Sequence, residues 1–489
     1  MILRKPVHGG LSHDPSMLEA AIPILPVPKE LPSRDVLSRI EGPGPRYTSY
    51  PTADRFSETF GPTHLEARLA KRRQASQDGA TSPLSIYIHI PFCESVCYYC
   101  ACNKIITKHH SRGQAYLDAL DSEIDLVVQA IGACRTVSQV HLGGGSPTFL
   151  SDAGIARLMG SLRRAFYLQP DAELSIEVDP RTVDAGRLAS LRAQGFNRIS
   201  FGVQDFDPAV QQAVHRVQPF ESVRDLILNA RELGFASINA DLIYGLPLQT
   251  PESFARTVAQ MASLRPDRIA LYAYAHLPAR FKPQRRIDAH QLPDGPARVA
   301  MLGTAMAGFL AHDYLYIGMD HFALPHDSLA IAKRDGRLHR NFQGYSTQPD
   351  CDLIGLGVSA IGRIGDSYYQ NEKGLPEYYA ALEAGRFPVA KGLTLDADDL
   401  TRRDIIMALM CDGRVEFDAI ARKHGVSMRK GFADEISRLG RLAADGFVVI
   451  GDDSIEVTPQ GWFVVRAIAM EFDRYLRGGA SRERFSRVV

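Results

Sequence analysis

The sequence predicts an α/β protein: a partly open parallel (β/α) barrel of about six strands, followed by a mostly helical C-terminal domain carrying a small β-hairpin. Three observations lead there. From about residue 80, short apolar or alternating runs each end in Gly, Pro, Asp or Glu. An amphipathic helical segment follows most of them, and strand–helix units in succession imply a parallel sheet. From about residue 372 the pattern turns mostly helical.

The strand runs are SIYIHIP (85–91), QVHLGG (139–144), ELSIEVDP (173–180), RISFGVQ (198–204), SINADLIYGLP (237–247) and RIALYAYAHLP (268–278). The helix over 113–131 sets Leu117, Leu120, Ile124, Val127, Val128 and Ile131 on one stripe. The helix at 151–166 opens on Ser151 and Asp152, an N-cap and first-turn pair. One at 182–194 begins with Thr182 and stops before Gly195, and 221–233 stops before Gly234. Pro251 and Glu252 suit the first turn of 251–264. Segment 314–365, with YLYIGMDHFA and LIGLGVSAIG, is expected to finish the sheet. Residues 426–446 read as helical, 447–461 as a hairpin turning on Gly451-Asp452-Asp453-Ser454, and a last helix starts near 462. The expected domains are an N-terminal extension over 1–43, Pro-rich and disordered in part, a barrel with its N-terminal arm over 44–370, and the C-terminal domain over 371–489.

The chain has 489 residues, 45% hydrophobic and 23% charged, with 56 basic and 56 acidic side chains. That balance argues against a nucleic-acid binder, which usually shows a basic excess. No apolar stretch is long enough to span a membrane. AAIPILPVP at 20–28 is too short and Pro-broken for a signal peptide, so the expected compartment is the cytoplasm. The helix–hairpin order at 426–461 resembles a winged helix, but SMRKGFADEISRLGRLAADG mixes both charge signs where phosphate binding needs a positive face.

Four of the seven cysteines fall within PFCESVCYYCAC at 91–102, which suits metal binding better than disulfides in a large intracellular chain. Cys93, Cys97 and Cys100 carry three- and two-residue gaps. Thiolates at that spacing suit three irons of a cubane and leave the fourth open to a small molecule. Structural zinc is the alternative; it wants a fourth Cys or His, for which Cys102 and His109 are the nearby candidates.

In parallel barrels the working residues sit at the carboxyl ends of the strands. There lie the Gly143-Gly144-Gly145 run, Glu177, Gln204 and, on the fifth strand, Asp241. Polar side chains within apolar strands are costly unless paired. Arg216 follows Gln204 and can neutralise a carboxylate, while Tyr87 and His89 share one face of the first strand.

The cysteine spacing, with Tyr99 before the third cysteine, resembles the radical S-adenosylmethionine superfamily. Within it, GPRYTSYPTA (44–53), CYYCACNK (97–104), IGMDHFALPHD (317–327), LHRNFQGYSTQ (338–348), GVSAIG (357–362) and the terminal FSRVV (485–489) resemble the oxygen-independent coproporphyrinogen III oxidase family. The resemblance implies a [4Fe–4S] cluster on Cys93, Cys97 and Cys100, and one or two S-adenosylmethionine molecules. It implies that the first is touched by Tyr87, Gly144, Glu177 and Ile361, and the second by Tyr99, Gly145, Ser146, Gln204, Arg216, Asp241 and Ala275. Tyr87, Glu177 and Asp241 are the implied catalytic residues. Leu142, Ser146 and Tyr99 depart from the family's usual aromatic, Thr and Phe. The implied reaction converts two propionates of coproporphyrinogen III to the vinyl groups of protoporphyrinogen IX, with release of carbon dioxide, in haem biosynthesis. The implied partners are that substrate and a flavodoxin- or ferredoxin-type electron donor, and the expected state is a monomer. A tetracarboxylate needs cations; Arg46, Lys104 and Arg340 lie in family-specific segments. The rival reading is a haem chaperone of the same superfamily, which lacks the RYTSYPTA arm and the Cys-Asn-Lys extension that this chain carries.

Overall fold

The structure, a computed structural model, describes residues 42–77, 82–348, 350–476 and 485. The extension expected over 1–43 lies outside these residues except for its last two, and FSRVV lies outside except for Phe485. Six strands run parallel in chain order: Leu84–Ile90 (β1), Thr136–Gly144 (β2), Tyr167–Val178 (β3), Arg198–Gln204 (β4), Ser237–Tyr244 (β5) and Arg268–Ala273 (β6). Leu315–Gly318 (β7) and His321–Ala323 (β8) add an antiparallel edge beyond β6. On the other side Leu353–Leu356 (β9) joins β1 in parallel, and Ile361–Ile364 (β10), Ser367–Asn371 (β11) and Val389–Thr394 (β12) continue antiparallel. The result is one 12-stranded sheet in the order β12-β11-β10-β9-β1-β2-β3-β4-β5-β6-β8-β7, a partly open barrel with parallel strands at its centre.

The reason for the central strands is visible in β1. Ile86, Ile88 and Ile90 are all fully buried, each worth about 1.5–3 kcal/mol on leaving water. β-branched side chains also fit the pleated surface. The alternate residues Tyr87 and His89 stand on the opposite face, as the strand period requires. Helix Ser111–Ile131 buries the expected Leu117, Leu120, Ile124, Val127 and Ile131, together with Glu123. Ser151 caps the helix Asp152–Ala165 through the Gly154 amide, and Thr250 caps Pro251–Leu264 in a capping box with Ser253.

Two expectations shift. Thr182 caps no helix: Pro180–Thr182 is a 3-10 turn, and the next helix, Ala185–Ala193, is capped by the Asp184 carboxylate, which accepts from the Arg187 amide. The sheet also runs past residue 370, because β11 and β12 pair at its edge on either side of helix Leu375–Glu383. The helix Ala397–Cys411 opens the C-terminal unit. There the expected hairpin, Val448–Ile450 with Ser454–Val457, gains Arg414–Glu416 as a third strand. Among the described residues no helix is long and apolar enough to cross a membrane.

Candidate active site

Past Ile90 the chain leaves the sheet at Pro91. Phe92–Cys93 then pairs with Ile105–Ile106, and the Ile105 and Thr107 amides bond Pro91 O and Cys93 O at 2.7 and 2.9 Å. That ribbon closes the loop bearing Cys97 and Cys100. The loop docks on the end of the helix Pro208–Ala213 that follows β4: the Tyr98 amide donates to Val214 O at 3.0 Å, and the Tyr98 ring stacks on His215 at 5.1 Å. Cys93, Cys97, Cys100 and Cys102 are free thiols. The Cys97 sulfur accepts from Arg181 Nη2 and Arg216 Nη1, both at 3.4 Å. Lys104 Nζ donates to Cys100 O at 2.9 Å. Cys93, Ser146, Asp179, Arg181 and Thr182 line a cavity at this mouth.

Among the described residues no three His, Cys, Asp or Glu side chains converge as a cage for a single metal ion. Three thiols on one loop at three- and two-residue gaps, with guanidinium donors at the Cys97 sulfur, fit a cubane that takes one thiolate per iron corner.

The β2 end lies directly against this loop. The Gly145 amide donates to Ile90 O at 2.7 Å and the Ser146 amide to Phe92 O at 2.8 Å. Glycine is required here: a Cβ on Gly145 would stand 2.7 Å from Phe92 O, and Gly144 has φ +112 with His89 ring atoms 2.6 Å from a Cβ position. Glu177 Oε2 accepts from the Gly144 amide at 3.3 Å, and Oε1 meets His141 Nε2 at 3.1 Å. Burial pushes this carboxyl up, but His141 and the Gly144 amide outweigh it and hold the group below its ordinary range. Tyr87 stacks on His141 with ring centroids 5.9 Å apart, and its hydroxyl lies 3.1 Å from His89 Nδ1. Burial raises the Tyr87 phenol and lowers His89, so neither is charged near neutral pH.

Farther round the barrel, Gln204 ends β4 with φ +71, a conformation that non-glycine residues hold only where the surroundings enforce it. Arg216 bridges Asp179 Oδ2 at 3.1 Å and Gly202 O at 3.2 Å, neutralising a carboxylate as expected. Asp241 accepts from Asn239 at 2.8 Å and Ser200 at 3.3 Å. Burial and the nearby Glu177 charge push it up to about 7. Gln284 Nε2 ties Ala275 O at 3.2 Å to Tyr99 O at 3.0 Å. Ile361 arrives from β10, after a turn that helix Ser111–Ile131 holds: the Gly357 amide donates to Glu123 at 2.7 Å and the Val358 amide to the Tyr116 hydroxyl at 2.9 Å.

Below the mouth the barrel encloses a polar cavity lined by His141, Glu177, Asp241, Tyr272, His321 and Tyr345. Arg46, from the arm, pairs with Asp320 and lies over Tyr272; Arg340 lies over Tyr345, and among the described residues its Nη1 is buried without a hydrogen-bond partner. Burial and the charges of Arg340 and Arg46 hold His321 down to about 3. Lys104 is drawn to the cysteine loop instead. His141, Asp179, Arg181 and His321 went unnoticed as site residues in sequence; His141 stands directly opposite Tyr87 in register on the neighbouring strand.

Residues 87–261 match the Radical SAM superfamily, and 395–464 match the HemN C-terminal domain. The oxygen-independent coproporphyrinogen III oxidase of Salmonella typhimurium is 48% identical over 446 residues, 91% of this chain and 96% of the relative. The Pseudomonas aeruginosa protein of the same name is also 48% identical, over 93% of this chain and 98% of its own length. The chain belongs to the oxygen-independent coproporphyrinogen III oxidase family. The solved structure of the family's Escherichia coli member, described as a radical SAM enzyme, superposes with a TM-score of 0.86 at 46% identity, covering 91% of this chain and all of that one. The family's cofactors, S-adenosylmethionine and a [4Fe–4S] cluster, fit the free-thiol loop and the glycine turn.

Proposed function

We propose that this chain converts coproporphyrinogen III to protoporphyrinogen IX without oxygen, in haem biosynthesis, as an oxidase and not a haem carrier. The observation that carries the reading is the junction of two sites: a thiol loop and glycine turn at the mouth, opening onto a cavity lined by Tyr272 and Tyr345, the rings over which Arg46 and Arg340 lie. When bound, S-adenosylmethionine and the reduced cluster supply a 5′-deoxyadenosyl radical that takes a hydrogen atom. Each propionate then loses carbon dioxide and one electron to an acceptor, and a carbon–carbon double bond forms.

Cys93, Cys97 and Cys100 hold the cluster. The Gly143–Gly145 turn approaches the cofactor closely by backbone, and the Glu177 carboxylate, held ionised, accepts hydrogen bonds from its cationic end. Tyr87, Gly144 and Ile361 complete that side. Tyr99, Gly145, Ser146, Gln204, Arg216, Asp241 and Ala275 surround a second S-adenosylmethionine position. Tyr87 stays a neutral phenol, and Asp241, poised near 7, carries a proton at the lower end of the neutral range. Arg46 and Arg340 take propionate carboxylates. A flavodoxin- or ferredoxin-type protein supplies electrons to a cytoplasmic monomer.

The test is anaerobic: reconstituted protein, coproporphyrinogen III, S-adenosylmethionine and a strong reductant. The expected products are protoporphyrinogen IX, carbon dioxide, methionine and 5′-deoxyadenosine. Tight haem binding with no vinyl product would favour the carrier reading and defeat this one.

A further inference from the structure

Arg181 belongs to none of the cofactor contacts assigned above. It sits in the 3-10 turn after β3, two residues from Asp179. Its Nε donates to Asp179 Oδ1 at 3.0 Å, and its Nη2 donates both to Asp179 Oδ2 at 2.6 Å and to Cys97 Sγ at 3.4 Å. Arg216, just after the helix Pro208–Ala213, does the same: its Nη1 reaches Asp179 Oδ2 at 3.1 Å and the same sulfur at 3.4 Å. One sulfur thus receives two guanidinium N–H groups, and one carboxylate orients both forks.

Arginine's planar fork allows it to serve the carboxylate and the sulfur at once, which a lysine ammonium cannot do with the same fixed geometry. A cationic N–H at a cluster sulfur withdraws electron density and stabilises the reduced, more negative form. Hydrogen bonds to cluster sulfurs are among the known determinants of cluster potential. We propose that Arg181 is a positioning residue for the iron–sulfur cluster, whose N–H on Cys97 Sγ raises the cluster's reduction potential. This rests on Cys97 being a ligand. A residue that only braced the Asp179 turn would leave the potential where it was.

The experiment is an anaerobic redox titration of the reconstituted full-length protein, followed by the spin-resonance signal of the reduced cluster, with neither S-adenosylmethionine nor substrate present. In R181Q the reduced-to-oxidised ratio at a fixed applied potential should fall about tenfold, equivalent to a shift of about 59 mV for one electron. R181K should shift in the same direction by less. R187Q, which removes a guanidinium that binds Asp152 and Leu150 O instead, should keep the wild-type potential. An unchanged potential in R181Q, or an equal shift in R187Q, overturns the proposal. If R181Q loads no cluster, R181K decides: a lowered potential supports the role and a wild-type potential overturns it. C97A separates the underlying reading, since a full cluster in that variant would refute the ligand assignment and not merely the role of Arg181.

Discussion

Gly145 is where a single methyl group has the clearest consequence. Its added Cβ would meet Phe92 O and the Pro91 carbonyl, which are backbone atoms that cannot swing aside. The Gly145→Ala protein should fold but bind S-adenosylmethionine at least about tenfold more weakly by calorimetry, because about 1.4 kcal/mol is a factor of ten. Wild-type affinity would place the cofactor elsewhere. Arg340 makes a different prediction. A charged hydrogen bond to a carboxylate is worth about 1.5–3 kcal/mol. R340Q should therefore raise the KM for coproporphyrinogen by about tenfold or more. Its iron content and S-adenosylmethionine affinity should not change. Residues of these two kinds were unequally legible in sequence. The glycine run alone is weak evidence, since a simple strand-to-helix turn explains it, and only its place at the end of a strand before a helix pointed to the barrel mouth, whereas the cationic candidates Arg46, Lys104 and Arg340 looked alike. Only tertiary packing separates them: Lys104 folds back on Cys100 O while Arg340 lies over the cavity-lining Tyr345 ring and, among the described residues, its buried Nη1 has no hydrogen-bond partner.

At the scale of elements, the parallel strands were readable because their period and terminal Gly or Pro are local properties. The antiparallel edge strands β11 and β12 were not, since edge pairing is decided by neighbours far away in sequence. Glu123 shows the same limit inside a helix. It sits three residues after Leu120 and four before Val127, in register with the buried stripe, yet as a carboxylate it reads as solvent-facing. In the fold it is buried and accepts from the Gly357 amide at 2.7 Å, Tyr378 hydroxyl at 2.7 Å and Asn371 at 2.6 Å. Burial pushes it up to about 7 against these donors. Its folded-state value therefore exceeds the ordinary one of 4.5. The folded state binds more protons between those values, so Glu123 costs stability as pH rises from about 4.5 to 7. In E123Q the amide oxygen can keep two of the donors, and the amide N–H₂ meets Asn371, whose Oδ1, among the described residues, is buried without a hydrogen-bond partner. Denaturant midpoints between pH 5 and 8 should fall less steeply for E123Q than for wild type. Parallel pH profiles would show that Glu123 does not titrate in this range.

The whole molecule is joined through its arm. The segment carrying RYTSYPTA touches three parts of the fold at once. Arg46 pairs with Asp320 at the β8 edge, and Arg340 Nε donates to Arg46 O at 3.3 Å beside the cavity. The Ser57 amide donates to Gly392 O at 2.8 Å on β12. From the C-terminal unit, Arg466 donates to Gly44 O at 2.9 Å, and the Asp473 carboxylate accepts from the Tyr47 hydroxyl at 3.0 Å. Tyr47 and Tyr50 are fully buried. The C-terminal unit thus presses the arm against the open side of the barrel, next to Tyr272 and Arg340. A barrel that handles a radical must keep water and stray hydrogen donors out, and this arm is positioned to do so. Asp473 is the point to test. In D473A the buried Tyr47 hydroxyl loses its acceptor, at a cost of about 1–3 kcal/mol, concentrated where arm and C-terminal unit meet. Limited proteolysis should then cut within residues 44–56 much faster than in wild type. Vinyl formation per turnover of S-adenosylmethionine should drop, as the radical is quenched without decarboxylation, while cluster absorption stays intact. D473N keeps an acceptor oxygen and should recover most of the coupling. An arm that stays protected in D473A, with cofactor cleavage still tightly coupled to vinyl formation, would mean that the C-terminal unit does not hold the arm in place.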